Sequence, residues 1–542
     1  MAKSKPAPVK RSEAKQKQTQ TSTFSFAKFA DWTHIIVITL LFWVVYSNIF
    51  EKKPDLNGDN FAYYLLGKRL ATGQGFTNAT DIHHGPHTHF PPGYPALLSV
   101  FMRTIGDDQD TLDFMNGLMM YGSLLLLYFI VKKLTSSSAL AFAATLISAL
   151  NSHLLRSSTI TMSEIPFLFI SLLAIFALIK AVDDPRNLKS PWLYVSIISI
   201  VLCYHTKTTA IALIGGAAIY LLVAKDWKRL VVVVAGFCIL CLPWHFRNSG
   251  LKDFDGKPIK DSHMGQLMQV NPYKPELGNL TTSTFIERVE NNFKRYISVD
   301  IPSGVLSLEV KFEKAPLSFW MLGIMIIGLA LWGIYKLKDF RLLFLAYIGG
   351  TLAILLIWPD IWGGIRFILP LIPIAIFLTL YAIKELFARF IGEKNTTYLP
   401  YAFLLLGFLY TKPIAALEEQ ANQSLPSNYT DYFDIAKWAK ANTPKDAIFS
   451  ARKPDMFMYY ADRTCIGEKP SLDDKEVMEF FRKNKVDYVI IEQLGFSSTG
   501  KYLIPAVQKN MDKFEIIMQL PNPPTNPPGP ATYLLKFKRE KQ

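Results

Sequence analysis

A chain of 542 residues that is 50% hydrophobic and 13% aromatic carries more apolar material than the core of one soluble domain needs. Its formal charge of +14 does not point to nucleic acid, because Lys3, Lys5, Lys10, Arg11, Lys15, Lys17 and Lys28 share one N-terminal tail and many other basic residues flank apolar runs. Four cysteines, with Cys203, Cys238 and Cys241 inside apolar runs and Cys465 alone, indicate neither a disulfide scaffold nor a paired-cysteine metal site.

The composition therefore describes a polytopic, mostly helical membrane protein. Its polar tail, residues 1–32, lacks the short basic start and immediate apolar core of a signal peptide, so the first span is expected to be an uncleaved anchor. Membrane-length apolar segments fall near 33–50, 114–131, 138–152, 164–182, 191–206, 208–224, 230–246, 316–335, 342–358, 366–383 and 398–412, about eleven in all. Basic residues fall in every second connection: Lys132 and Lys133, Arg186 and Lys189, Lys225, Lys228 and Arg229, Lys336, Lys338 and Arg341, then Lys384, Arg389 and Lys394. With that side cytoplasmic, a transmembrane domain over 33–412 sends loops 51–113 and 247–315 outward, together with "NSHLLRSSTITMSE" and "WPDIWGG". In a bacterium this is the inner, or plasma, membrane, with the outward face toward periplasm or exterior.

Beyond residue 412 the pattern changes. Helix-like "DYFDIAKWAKAN" and "DDKEVMEFFRKN" alternate with strand-like "AIFSAR", "VDYVIIE", "KFEIIMQL" and "TYLLKFK", which predicts a small extracytoplasmic α/β domain over 413–542. The run "LPNPPTNPPGPA" is too rich in proline for a helix or an interior strand and reads as an extended loop or a spacer.

Charges at outward span ends are the candidates for chemistry. Asp59 precedes the helix-like "FAYYLLGKRLATGQG", which carries Tyr63 and suits an element lying along the membrane surface; a solvated turn acid fits Asp59 equally. Glu164 opens the span "EIPFLFISLL", where a carboxylate must face solvent, a cation or a cavity, or else simply sit at a positive helix end. Arg366 lies beside the apolar "FILPLIPIAIFL", Lys207 within "CYHTKTTA" and Arg247 at the start of an outward loop; each is a phosphate ligand or an interface anchor. The imidazoles of "HHGPHTH" match no standard metal spacing, though His87 and His89 can also hydrogen-bond substrate hydroxyls.

Taken in order, "GDNFAYYLLGKRLATGQGF", "FPPGYPALL", "MSEIPFLF", "PWHFRN" and "RFILPLIP" resemble the polytopic GT-C glycosyltransferases, with a likeness covering most of residues 33–412. Within that group the chain is similar to relatives of the protein O-mannosyltransferases and the lipid A aminoarabinose transferases. The resemblance implies a cell-envelope enzyme that moves a sugar from a polyprenyl-phosphate carrier to an outward acceptor hydroxyl on a glycan, lipid or protein. It implies that Asp59 is the first-loop catalytic acid, Glu164 the acid of the second outward loop and Arg366 a residue near the donor phosphate, with Arg247 a looser match. A lipid phosphate is already a good leaving group, so one base and one or two cations suffice for single displacement with inversion. Relatives with paired acids in the first loop differ, since Asn60 follows Asp59 here. No cofactor is required by this reading, and a divalent metal stays open. A lipid-linked sugar flippase or another transporter is the rival reading, and would place charges at mid-span instead of at span ends.

Overall fold

The computed structural model describes residues 26–56, 59–252, 254, 256–259, 262–496, 498–520 and 531–539. Most of the basic tail, Gly58 and the proline-rich run lie outside the described residues.

Runs of about twenty apolar residues without internal charge have one stable form in hydrocarbon, a helix that satisfies its own backbone. The first is α1 (Phe26–Ile49), followed by two shorter helices, α2 (Asp59–Ala71) and α3 (Gly93–Thr104). Next come α4 (Gln109–Thr135), the bent pair α5 (Ser138–Leu150) and α6 (Ser152–Ser158), α7 (Glu164–Asp183), α8 (Pro191–Thr206), α9 (Ile211–Val223) and α10 (Trp227–Ser249). A connecting region holds α11 (Ser262–Leu267), α12 (Thr282–Arg295), one π turn and α13 (Ile301–Leu306). The bundle closes with α14 (Leu317–Lys336), α15 (Arg341–Leu356), α16 (Ile365–Ile368), α17 (Ile372–Ile391), α18 (Leu399–Ala402) and α19 (Phe408–Asn422).

Among the described residues seven helical segments are long and apolar enough to cross a membrane, or eight if α5 and α6, bent by 63°, form one span. The expected count of about eleven also used the apolar stretches of α8, α9 and α15. Helices α8 and α15 have 16 residues each. At about 1.5 Å per residue they reach about 24 Å, short of the roughly 30 Å of hydrocarbon in a typical bilayer. They pack against neighbouring helices, α8 along the 20-residue α7 and α15 along the 13-residue α9.

Ion pairs mark the end of the bundle opposite the candidate site. Lys132 pairs with Asp31, and Lys133 reaches Asp183 at 2.5 Å. Arg229 reaches Asp226 at 2.5 Å, and Lys336 reaches Glu385 at 3.5 Å. The alternate-loop lysines and arginines that oriented the sequence therefore share one end.

The C-terminal part forms a five-stranded sheet of β1 (Ile448–Ser450), β2 (Thr464–Ile466), β3 (Tyr488–Ile491), β4 (Phe514–Gln519) and β5 (Tyr533–Phe537), in the order β2-β1-β3-β5-β4. β1 runs parallel to β2 and β3, and β5 runs antiparallel to β3 and β4. Alternation along the strands sorts side chains to two faces. Ile490 and Leu534 join Phe449 under α20 (Ser427–Asn442) and α21 (Pro454–Ala461), while Val489 and Leu535 join Phe481 and Val507 under α22 (Asp474–Lys483) and α23 (Ile504–Lys509). Phe61 of α2 is buried in the first of these clusters, which fixes α2 between the sheet and the membrane helices.

Candidate active site

Each charged candidate is delivered by a helix end. The loop before α7 hangs from α4: Asn116 Nδ2 donates to the carbonyls of Ile160 and Met162 at 2.5 and 3.0 Å, and Thr161 Oγ1 donates to Asp113 at 2.5 Å. This sets Glu164 as the first residue of α7 with 2% of its surface exposed. Lys207 caps α8 in an extended conformation, its N–H donating to Cys203 O at 2.8 Å. Gly93 packs under that turn so closely that a Cβ would lie 2.6 Å from the His205 carbonyl oxygen, so only glycine lets α3 approach α8 here. Arg366 follows Gly364, whose φ of +143° no side-chain-bearing residue readily adopts.

The four groups meet. Arg366 Nη2 donates to Asp59 Oδ2 at 2.8 Å, and its Nε lies 3.5 Å from Glu164 Oε1. Lys207 Nζ donates to the same Glu164 oxygen at 2.8 Å, while Glu164 Oε2 has no hydrogen-bond partner. The Phe367 ring lies beneath both cations, 5.1 Å from the Arg366 guanidinium and 5.8 Å from Lys207 Nζ. The buried end of this chain, Glu164 with Lys207, grades into a half-exposed end, since the Arg366 and Asp59 side chains are 43% and 38% exposed. Burial favours strong coupling at the first end; water weakens it at the second.

A cavity of about 160 Å³ opens against this chain, lined by polar His153, Arg156 and Ser157, by Glu164 and Arg366, and by apolar Ile160, Met162, Ile365 and Leu369. Arg156 Nη1 donates to Gln420 at 2.8 Å, and its Nη2 lies 3.5 Å from Asp55. Sequence reading did not single out His153 or Arg156; their i,i+3 spacing on one helix face was the available signal.

Other candidates are placed elsewhere. Tyr63 is buried beneath the site, its hydroxyl 3.2 Å from Ser163 Oγ and its ring against Phe90 and Tyr94. Burial, with Glu164 nearby, raises its phenol well above the ordinary range. Arg247 donates to the carbonyls of Phe76 and His87 at 3.1 and 3.2 Å and lies 4.6 Å from the Trp244 ring, clamping the first loop outside the cavity lining. His87 Nε2 accepts the Phe90 N–H at 2.9 Å, and His89 lies against the Phe90 ring. The sheet region adds two charges beside Asp59. Burial pushes the Asp455 carboxyl up to about 6, the Asp59 charge adding to it, and burial lowers the Lys453 ammonium.

Burial pushes His87 down to about 3, with His89 and Arg247 adding. The unfolded imidazole titrates near 6.5, so the unfolded loop binds a proton between those values and the folded loop does not. Loop stability is therefore complete above about pH 6.5 and falls as pH drops toward 3, by up to roughly 4 kcal/mol. Amide exchange at Phe90, corrected for intrinsic rate, is expected to accelerate between pH 7 and 4.5. In His87→Gln, where a non-titrating carbonyl accepts the same N–H, it is expected to stay flat; equal pH profiles for both proteins contradict the assignment.

The donor set suits a divalent ion poorly. Asp59 and Glu164 both already face cations, and no group of three His, Cys, Asp or Glu side chains gathers as a metal site among the described residues.

The fold of this chain is shared with solved glycosyltransferases. The Archaeoglobus fulgidus oligosaccharyltransferase tethered to an acceptor peptide superposes with a TM-score of 0.57 at 14% identity, over 95% of this chain and 74% of that one. ArnT from Cupriavidus metallidurans bound to undecaprenyl phosphate superposes with a TM-score of 0.56 at 11% identity, over 92% and 97%. The family model described as dolichyl-phosphate-mannose-protein mannosyltransferase matches residues 89–244, a stretch containing Glu164 and Lys207 but neither Asp59 nor Arg366. A search of curated proteins finds no match. The chain is thus similar to GT-C glycosyltransferases, in its fold and in the family match over residues 89–244.

Proposed function

We propose that the chain transfers a sugar from a polyprenyl-phosphate carrier to an acceptor hydroxyl on the outward face of a bacterial inner membrane, with inversion. The observation that carries this reading is the continuous chain Asp59, Arg366, Glu164, Lys207, of which Arg366 and Glu164 line a cavity that also presents apolar Ile160, Met162, Ile365 and Leu369. Arg366 offers a planar fork to the carrier phosphate as negative charge develops on it. Glu164 anchors Arg366 and Lys207 so that both cations are held in place before the donor arrives. Asp59 takes the proton of the acceptor hydroxyl as its oxygen attacks the anomeric carbon and the carrier phosphate leaves.

The resting ion pair gives the site an order of events. Asp59 is engaged by Arg366 until a phosphate competes for the guanidinium, and only then is its carboxylate released to act as base. A donor thereby prepares its own acceptor chemistry. ArnT bound to undecaprenyl phosphate supports the choice of a lipid phosphate, and the apolar lining by Ile365 and Leu369 suits the first isoprene units.

The test is to reconstitute the purified protein in nanodiscs with radiolabelled polyprenyl-phosphate sugars and a panel of glycan, glycolipid and peptide acceptors. Label is expected to move to one acceptor class with loss of free carrier-linked sugar. Translocation of an intact carrier-linked sugar across liposomes, with no transfer to any acceptor, overturns the reading in favour of a flippase.

A further inference from the structure

Helix α6 is a separate short helix because the chain turns sharply at Asn151. That side chain accepts the His153 and Leu154 N–H groups, both at 3.2 Å, while its Nδ2 donates to Gly304 O at 2.7 Å. Ser307 Oγ accepts the Ser152 N–H at 3.0 Å, so the turned helix is pinned to α13 and to the residue that ends it. Leu154, Leu155 and Ser158 are buried along α6. His153, Arg156 and Ser157, at i, i+3 and i+4, form the polar face toward the cavity.

Arg156 is the permanently charged member of that face, and its guanidinium is oriented before any ligand arrives. Gln420 Oε1 of α19 accepts from Nη1 at 2.8 Å, and Asp55 Oδ2 lies 3.5 Å from Nη2. A guanidinium has five N–H groups, so these two contacts leave donors for a ligand, and the side chain is still 43% exposed. Asp55 belongs to the segment that leads to Asp59, and Asn60 Nδ2 donates back to Asp55 O at 3.0 Å. Arg156 is thereby tied to the stretch of chain that brings the proposed base. The cavity has two kinds of wall. Arg366 stands with apolar Ile365 and Leu369, which suits a carrier phosphate and its first isoprene units; Arg156 stands with His153 and Ser157, which suits a sugar.

We propose that Arg156 determines which donor sugar is accepted: it donates to the oxygens of a neutral or acidic sugar and turns away a sugar that carries an ammonium group. A guanidinium and an ammonium both donate and neither accepts, so the two repel with no hydrogen bond to offset the repulsion. A hydroxyl or a carboxylate at the same place accepts. Arginine cannot relieve the conflict by losing its proton. The inference rests on the reading that Arg366 holds the carrier phosphate, since that assignment leaves the α6 face for the sugar.

The test measures binding to the full-length protein in nanodiscs. The probes are bare undecaprenyl phosphate, its glucose, mannose and glucuronic acid conjugates, and the 4-amino and 6-amino analogues of the first two. At least one oxygen-bearing sugar is expected to bind tenfold or more tighter than the amino analogues. Arg156→Gln is expected to weaken that sugar conjugate about tenfold, to bring the amino analogues within about twofold of it, and to leave bare undecaprenyl phosphate unchanged. Arg156→Lys keeps the charge and loses the fork, so it should still reject the amino analogues while recovering part of the lost affinity. Three results each overturn the proposal: amino analogues that bind wild type as well as the others, a preference unaltered in an Arg156→Gln protein of wild-type thermal midpoint, or an equal loss of bare undecaprenyl phosphate in that variant, which would make Arg156 a phosphate ligand. If neither the bare carrier nor any conjugate binds wild type, the polyprenyl-phosphate reading fails first and takes this inference with it.

Discussion

Asp59→Asn is expected to lower kcat for sugar transfer by about 10²- to 10⁴-fold, the range for removal of a positioned general base. The amide keeps the shape of the carboxylate and its place at the start of α2, so the fold is preserved while the proton acceptor is gone. Donor affinity is expected to hold or to improve, because Arg366 no longer has a carboxylate 2.8 Å away competing with the phosphate. A fall in kcat without a rise in donor KM therefore separates loss of the base from loss of binding. Asp59→Glu retains the charge but moves it by one methylene, and should recover part of the rate. A solvated turn acid, the plain alternative for a residue 38% exposed, would show no such split; wild-type kcat in the Asn variant returns Asp59 to that role.

The candidates were legible because a membrane chain places few charges at the ends of apolar runs without cause, and Asp59, Glu164, Lys207 and Arg366 all stand there. Their meeting was not legible: 307 positions separate Asp59 from Arg366, and no periodicity spans such a gap. The sequence offers His87 as a hydrogen-bonding group for substrate hydroxyls and Arg247 as a looser family match or an interface anchor. Their actual bonds, to the Phe90 N–H and to two loop carbonyls, leave no mark in spacing because any backbone can supply them. In the C-terminal part the alternation of "VDYVIIE" and "TYLLKFK" announced strands, and β3 and β5 lie there. Three-residue β2 is too short to show a period, and the insertion of β5 between β3 and β4 is a matter of topology.

Lys207→Met is expected to be the most destabilising single change in the site, by roughly 3–5 kcal/mol, the usual cost of leaving one member of a buried ion pair uncompensated. Glu164 is 2% exposed, its Oε2 already lacks a hydrogen bond, and the remaining cation, Arg366, is 3.5 Å from Oε1. Removing the 2.8 Å bond from Lys207 leaves a buried carboxylate with only the more distant Arg366 guanidinium to offset its desolvation. Thermal unfolding in detergent should show a clearly lowered midpoint for Lys207→Met and a midpoint largely restored in Lys207→Met/Glu164→Leu, because deleting both charges removes the desolvation problem with the interaction. Arg366→Met should behave in the opposite way. Its side chain is 43% exposed, so water screens the loss and stability changes by about 1 kcal/mol or less, while transfer falls with the loss of the phosphate ligand. The double variant, stable again, should still transfer no sugar, since the charge that holds Arg366 toward the carrier phosphate is absent. A midpoint for Lys207→Met equal to wild type would mean that Glu164 is solvated in the folded protein, and the anchoring role given to it would fail with that result.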